Sequence, residues 1–421
     1  MSSGITLSLI AKDEEDFLPR CLASVRDLVD AMIVVDTGST DDTVARAEAA
    51  GAIVLHVPWQ NDFAAARNAG LAAVRTPWVL VLDADEELLA DDRPALLDAV
   101  RRPTADAYNL RIVSLADRPE DLSEARVTRL FRAHPAVRWT GAVHEQIIPS
   151  VMAAGMRLGQ VNVRLLHYGY LGAVAAARQK AERNLALLEA QVRAEPHNPY
   201  ALWQRAQTYL QVGRADAAIA DARRASALLP TRADLQPLIW ITWARAQWMA
   251  GHADEANRTV NRALERWRDS PDFWYLRGQL AMARQEWAAA QGAFEHALAL
   301  GDTDHYLQTD TGVGSYKALW QLVRIALAQQ DARRATATAL LLIRRQPHFR
   351  PAWQTLLSLL AGTPLSVVVD LICQQVPAAT VRRVLTLWPD PTPDEAAVAA
   401  SVAAILTGKE SHYAVSSATT V

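Results

Sequence analysis

The apolar positions of this chain keep two different rhythms. In the first part, compact apolar runs at Ile5–Ala11, Met32–Val35, Ile53–Val57 and Trp78–Leu82 alternate with stretches that predict helices, from Phe17 to Leu28, at Asp41–Ala50 and at Asp62–Val74. Compact, mainly apolar runs read as buried strands, and their alternation with helices builds a parallel sheet covered on both sides. Ligands of such sheets bind at the carboxyl ends of the strands. Those ends carry Lys12 and Asp13, Asp36, and Asp83. Beyond Arg102 the rhythm loosens, and strands are predicted at Tyr108–Leu115, Val127–Phe131 and Val161–Leu166 in a more mixed region.

From about Leu171 onward nearly every stretch reads as helix, rich in Ala, Leu, Arg and Trp. Self-similarity is visible at a period of about 34 residues, the length of a helix–turn–helix repeat. With Pro199, Pro237, Pro271 and Tyr316 as first positions, the eighth are Ala206, Ala244, Gly278 and Val323. The twentieth are Ala218, Ala256, Ala290 and Ala335, and the twenty-seventh Ala225, Ala263, Ala297 and Leu342. Small residues there let two antiparallel helices approach closely. Trp240, Trp274 and Trp353 take a large apolar slot, and Arg350–Gly362 reads as a partial fifth repeat. The alternative is a generic helical bundle with alanine seams. The expected organisation is an α/β catalytic domain over 1–172, a connecting helix over 173–198, repeats over 199–362, capping helices over 363–410 and a disordered tail over 411–421.

Composition removes several function classes. The net charge is −3, and no basic block or basic amphipathic stretch points to nucleic acid or to a membrane surface. Cys21 and Cys373 form no close pair, which argues against a disulfide scaffold or zinc knuckle. Ile5–Ala11 is too short for a signal peptide, and no uncharged segment reaches spanning length. A cytoplasmic protein is expected, with homo-oligomerisation left open. No G-x-G-x-x-G follows the first strand, so a dinucleotide enzyme is not indicated.

Four segments carry candidate chemistry. Asp36 ends the second strand, and Gly38 permits a sharp turn that Ser39 or Asp41 can cap. A carboxylate there can accept hydrogen bonds from a base edge, or the segment is a well-capped junction and nothing more. Asp83 and Asp85 follow the fourth run, and residues two apart in a strand face the same side, so the two carboxylates are expected to converge. Two convergent carboxylates suit a hard divalent cation, Mg²⁺ or Mn²⁺, which would hold the diphosphate of a sugar nucleotide. The alternative is a solvated acidic turn, since Glu86 and Glu87 continue the run. Asn61 or Asp62 caps a helix bearing Arg67, which reaches a phosphate or pairs with Asp83 or Asp62. His144 and Glu145 sit in a strand–turn segment, and His167 follows the last predicted strand, as a cleft residue or as packing. Lys180, Arg183 and Asn184 share a helix face and read as a solvated stripe, with basic contacts to the diphosphate as the alternative.

Ile5–Glu15, Ile33–Asp41, Asn61–Asn68 and Val81–Glu86 together resemble family 2 glycosyltransferases of the GT-A fold, in the family's order and spacing over roughly the first 170 residues. The resemblance implies a nucleotide-sugar donor, with uridine preferred, an inverting single displacement and a divalent metal. Carried over by position, Asp36 would hold the base, Asp83 the ribose and Asp85 the metal, with Ala11 and Asp13 bordering the base. His167 would complete the metal shell. Glu145 is the expected acceptor-side base, with His144 as the alternative or as its orienter. With the repeats, the chain resembles bacterial glycosyltransferases that modify Ser, Thr or Cys of peptides such as glycocins, and repeat arrays form grooves suited to extended peptides. A glycan or lipid-linked acceptor is the second expectation, and a repeat scaffold with an inactive domain the third.

Overall fold

The computed structural model describes residues 3–116, 123–170, 174–230, 233–302, 312–386 and 390–406. The expected tail over 411–421 lies outside them. The N-terminal part runs β1 (Ile5–Ala11), α1 (Leu18–Val25), β2 (Ala31–Asp36), α2 (Thr43–Ala49), β3 (Ile53–His56), α3 (Phe63–Ala73), β4 (Trp78–Val81), β5 (Glu86–Leu88), α4 (Arg93–Arg101), β6 (Ala107–Ala116), β7 (Ser123–Arg132), α5 (Ile148–Ala153) and β8 (Leu158–Tyr170). The eight strands form one sheet in the order β3-β2-β1-β4-β7-β6-β8-β5. β1 pairs in parallel with β2 and β4, and β2 with β3. β7 enters antiparallel to both β4 and β6, which makes the far half mixed.

Alternation along the strands divides the core between the two faces. Ile5, Leu7, Leu9 and Val34 pack with Leu18, Leu22 and Leu96 of α1 and α4. Ile33 and Val35 pack with Ala66 of α3, and Val79, Val81 and Phe131 with Ala64 and Val151. Gly70 sets how closely α3 lies on the sheet, because a Cβ there would stand 2.6 Å from Ser8 Oγ and 3.1 Å from Val35 Cγ2.

One expectation changes at β4. That strand ends at Val81, and Asp83–Asp85 lies in a turn leading to β5, so strand alternation does not set the directions of the two carboxylates. The acidic continuation is no solvated turn either. Glu86 and Glu87 begin β5, which pairs antiparallel with β8 through Glu86 and His167.

After β8 the chain is helical: α6 (Val174–Ala194), α7 (Pro199–Gln211), α8 (Ala215–Ala227), α9 (Gln236–Met249), α10 (Ala253–Arg266), α11 (Pro271–Ala283), α12 (Trp287–Leu300), α13 (Tyr316–Ala328), α14 (Ala332–Arg345) and α15 (Arg350–Leu359), then α16 (Leu365–Cys373), α17 (Ala378–Leu385) and α18 (Pro393–Leu406). Four helix pairs begin at the predicted first positions or one residue before them. The small seam residues Ala206, Ala218, Ala225, Ala244, Ala256, Ala263, Ala290, Ala297 and Ala335 are all fully buried. At Gly278 a Cβ would stand 2.6 Å from the Phe294 ring, so the α11–α12 seam has no room for one more carbon. Of the slot tryptophans, Trp240 and Trp353 are buried, while Trp274 is half-buried. The chain divides into two compact units: the sheet domain with the helices up to Ala263, and the helices from Leu264 onward.

Candidate active site

The carboxyl ends of β1, β2 and β4 open on a cleft of about 1040 Å³. Ala11 and Lys12 after β1, Thr37 after β2, and Asp83 and Asp85 after β4 line it, together with Arg67, His144, Glu145 and His167. Arg183 and Asn184 of α6 line it as well, so these residues of the expected solvated stripe reach the cleft. The side chain of Lys180 lies outside the described residues.

The β2 end is a self-contained turn. Asp36 is buried, and its carboxylate accepts the Ser39 amide at 3.0 Å and the Gly38 amide at 3.3 Å, with His56 Nδ1 at 3.4 Å. Burial would raise this carboxyl, but the Ser39 and His56 hydrogen bonds hold it below its ordinary value. Asp13, in a left-handed conformation at φ 53, accepts the Thr40 amide at 2.7 Å. Both carboxylates therefore order the loops beside the cleft; Ala11 and Thr37 form its surface.

Beneath the cleft lies a charged cluster. Asp83 accepts from Arg67 Nη2 on one oxygen and from Arg129 Nη2 on the other, each at 2.6 Å. Arg129 also reaches Glu86 at 2.6 Å, and the Glu86 carboxylate accepts the Asp83 amide at 2.9 Å. Burial would raise Asp83, but the two guanidiniums hold it well below the usual carboxylate range. Glu86 goes the other way: burial pushes it up to about 7, with Arg129 pulling down and Asp83 pushing up. Asp83 is nevertheless 35% exposed at its side chain and can meet a ligand from above. Asp85 turns elsewhere, with an oxygen 3.1 Å from His167 Nε2. Burial would lower His167, but the Asp85 hydrogen bond and charge, with Glu86 and Asp83 behind, raise it. Among the described residues no three His, Cys, Asp or Glu side chains converge as a complete metal site.

Glu145 reaches the cleft on a tight loop. Thr140 and Gln146 exchange backbone hydrogen bonds of 3.0 and 2.8 Å, closing the loop, and His144 takes a left-handed conformation at φ 52. α3 grips this loop twice. The Asn68 side chain accepts the Trp139 amide at 2.8 Å and donates to its carbonyl at 2.9 Å, and Arg67 Nε donates to Glu145. Arg67 is 8% exposed, stands over the Trp139 ring, and keeps Nη1 buried with no hydrogen-bond partner. It thus realises the alternative of an ion pair with Asp83, but buried and shared with Glu145. From α7, the Tyr200 hydroxyl donates to the His144 carbonyl at 3.3 Å. Sequence reading missed Arg129, Glu86 and Tyr200. The signal for the first was a charge inside the apolar run Val127–Phe131: such a residue folds inward only with a partner.

Residues 7–145 match the family described as Glycosyl transferase family 2, and residues 237–280 match the tetratricopeptide repeat. Over residues 7–145 the chain is thus similar to family 2 glycosyltransferases. A TPR repeat-containing protein of Synechococcus elongatus is 38% identical over 204 residues, 47% of this chain and 50% of that one. The glycosyltransferase SunS of Bacillus subtilis is 27% identical over 208 residues, 46% of each. The chain thus spans about half the length of the curated relatives it matches. Residues 1–349 of TarS from S. aureus, solved with UDP-GlcNAc, align at 13% identity and TM-score 0.38, over 64% of this chain and 92% of that one. Among the described residues no helix is long and apolar enough to cross a membrane.

Proposed function

We propose that this chain is an inverting, metal-dependent glycosyltransferase that moves a sugar from a UDP-sugar to a Ser, Thr or Cys side chain of a peptide or protein, in the cytoplasm. The observation that carries the reading is the convergence, on one cleft at the carboxyl ends of β1, β2 and β4, of Asp83, the Asp85–His167 pair and Glu145. Ala11 and Thr37 border the base, on loops held by Asp13 and Asp36, and Asp83 meets the ribose. Lys12 and Arg183 are the cations that face a diphosphate, because the charge of Arg67 is already shared between Asp83 and Glu145.

The donor set fits a divalent cation as a half-site. Magnesium is commonly bound through one or two carboxylates with the substrate's phosphates completing the shell, and an imidazole suits manganese. Asp85 and His167 would hold Mg²⁺ or Mn²⁺, whose charge would offset that of the departing diphosphate. The acceptor oxygen or sulfur attacks the anomeric carbon from the face opposite the diphosphate. Glu145 takes the acceptor's proton, the bond to the diphosphate breaks, and the nucleoside diphosphate leaves with the electron pair. Arg67 holds the Glu145 carboxylate in place, and the strained His144 backbone turns it toward the cleft. The test is single-turnover transfer by Glu145→Gln beside His144→Ala. Loss in the glutamine variant with donor affinity kept supports the assignment; a normal glutamine variant with a dead alanine variant makes His144 the base.

A further inference from the structure

Behind Glu145, away from the donor loops, lies a second and smaller cavity of about 130 Å³. Its walls are Trp139, Val127 and Ile148 of the sheet domain, Tyr200 and Trp203 of α7, and Glu145 itself, which also lines the large cleft. The proposed base therefore stands in the wall common to both spaces.

The chemistry of the small cavity is set by which polar ends are already satisfied. Trp203 donates its indole N–H to Thr242 Oγ1 at 2.9 Å. Thr128, at the cavity margin, donates its hydroxyl to Asn109 at 2.7 Å. The Tyr200 hydroxyl donates to the His144 carbonyl at 3.3 Å and accepts from Gln204 at 2.8 Å. Arg126, His144, Glu145 and Gln146 form the polar side of the wall, and the remaining residues leave ring and aliphatic surface for an occupant. A volume near this one, about 150 Å³ in an engineered apolar cavity, accepts a benzene ring. The space is thus sized for one branched aliphatic or phenyl group and too small for a sugar ring with its hydroxyls hydrogen-bonded.

We propose that this cavity is an acceptor subsite that takes a single apolar side chain, Leu, Ile or Phe, at a fixed distance in sequence from the residue that receives the sugar. This rests on the peptide-acceptor reading above. An occupant seated here places its neighbouring backbone at Glu145, with the donor cleft on the other side of that carboxylate. The first repeat helix would then contribute to substrate choice directly, through Tyr200 and Trp203.

The test is transfer to oriented peptide libraries with one fixed Ser or Cys in randomised flanks, using a panel of UDP-sugars with Mn²⁺. The expected result is one flanking position at which Leu, Ile or Phe exceeds Gly by at least about tenfold in kcat/KM, the usual worth of filling an apolar pocket. Ile148→Phe fills the cavity and should shrink that ratio to below about threefold, while Ile148→Ala should move the preference from Leu toward Phe. Donor hydrolysis at the wild-type rate verifies that both variants are folded, and the wild-type profile is decisive without them. Peptide transfer with no apolar preference at any fixed position, or an unchanged profile in two folded variants, overturns the subsite alone. Donor hydrolysis with transfer to no peptide overturns the peptide reading, and the subsite with it.

Discussion

The sheet domain and the repeats bury opposite kinds of residue. Under the cleft, Arg67, Arg129, Asp83, Glu86 and Glu145 share one cluster of ion pairs. At the repeat seams the corresponding depth holds alanine, fully buried at position after position. The repeats also contain a buried ion pair: Arg205 makes two bonds to Asp221, at 2.6 and 2.9 Å. It joins α7 to α8 and lines neither of the two cavities described above. Burying charge costs several kcal/mol per ion unless geometry and partners offset it. Where the pair only fixes the packing of two helices, apolar residues of similar volume can replace it. Where it presents a carboxylate to a ligand they cannot, and that difference separates the two regions.

The comparison breaks first on activity. Glu145→Gln should slow the chemical step by roughly two to four orders of magnitude, the usual worth of a general base, with donor affinity nearly unchanged. Single-turnover transfer measures it, and a cysteine acceptor should show the smaller loss, because a thiol is partly ionised near neutral pH. Next in size is Arg67→Met, which takes the guanidinium from Glu145 and leaves Asp83 with Arg129 alone. It should cost about 3–5 kcal/mol in urea unfolding, whereas the double change Arg205→Met with Asp221→Leu should fall within about 1 kcal/mol of wild type. Gly278→Ala should cost about 1–3 kcal/mol by overpacking against Phe294, lowering Tm while nucleotide binding to the sheet domain is kept.

The smallest effect is a pH dependence. Glu86 is held at about 7 against an ordinary 4.5, so the folded state keeps a proton that the unfolded chain has lost. Its contribution is present below the unfolded value and is lost as pH rises through the folded one. His167, raised by Asp85, acts in the same direction. Urea midpoints should therefore fall between about pH 5 and pH 8, and Glu86→Gln should reduce that fall by on the order of 1–2 kcal/mol.

The same contrast explains what could be read from the sequence. Repeat positions translate directly into burial, because each seam is local and recurs: Ala218, Ala256, Ala290 and Ala335 occupy one place four times. The strands β1, β2 and β4 were legible for a similar reason, as compact apolar runs followed by acids. The cluster under the cleft was not. Arg67 and Glu145 are 78 residues apart, and Arg129 and Asp83 are 46 apart, so no local pattern pairs them. β5 escaped because Glu86 and Glu87 read as a solvated acidic run, and Arg129, the buried partner of Glu86, lies 43 residues away. Asp36 was legible as a strand end, but the use of its carboxylate within its own turn depends on loop geometry.

The most direct test of the central claim is donor turnover: incubation with a panel of UDP-sugars and Mn²⁺, with the released nucleotide identified by mass. The account predicts UDP from wild type, suppressed by excess chelator and absent in a folded Asp85→Ala variant. No nucleotide from any donor, or equal release by the Asp85→Ala variant in the presence of chelator, would contradict it.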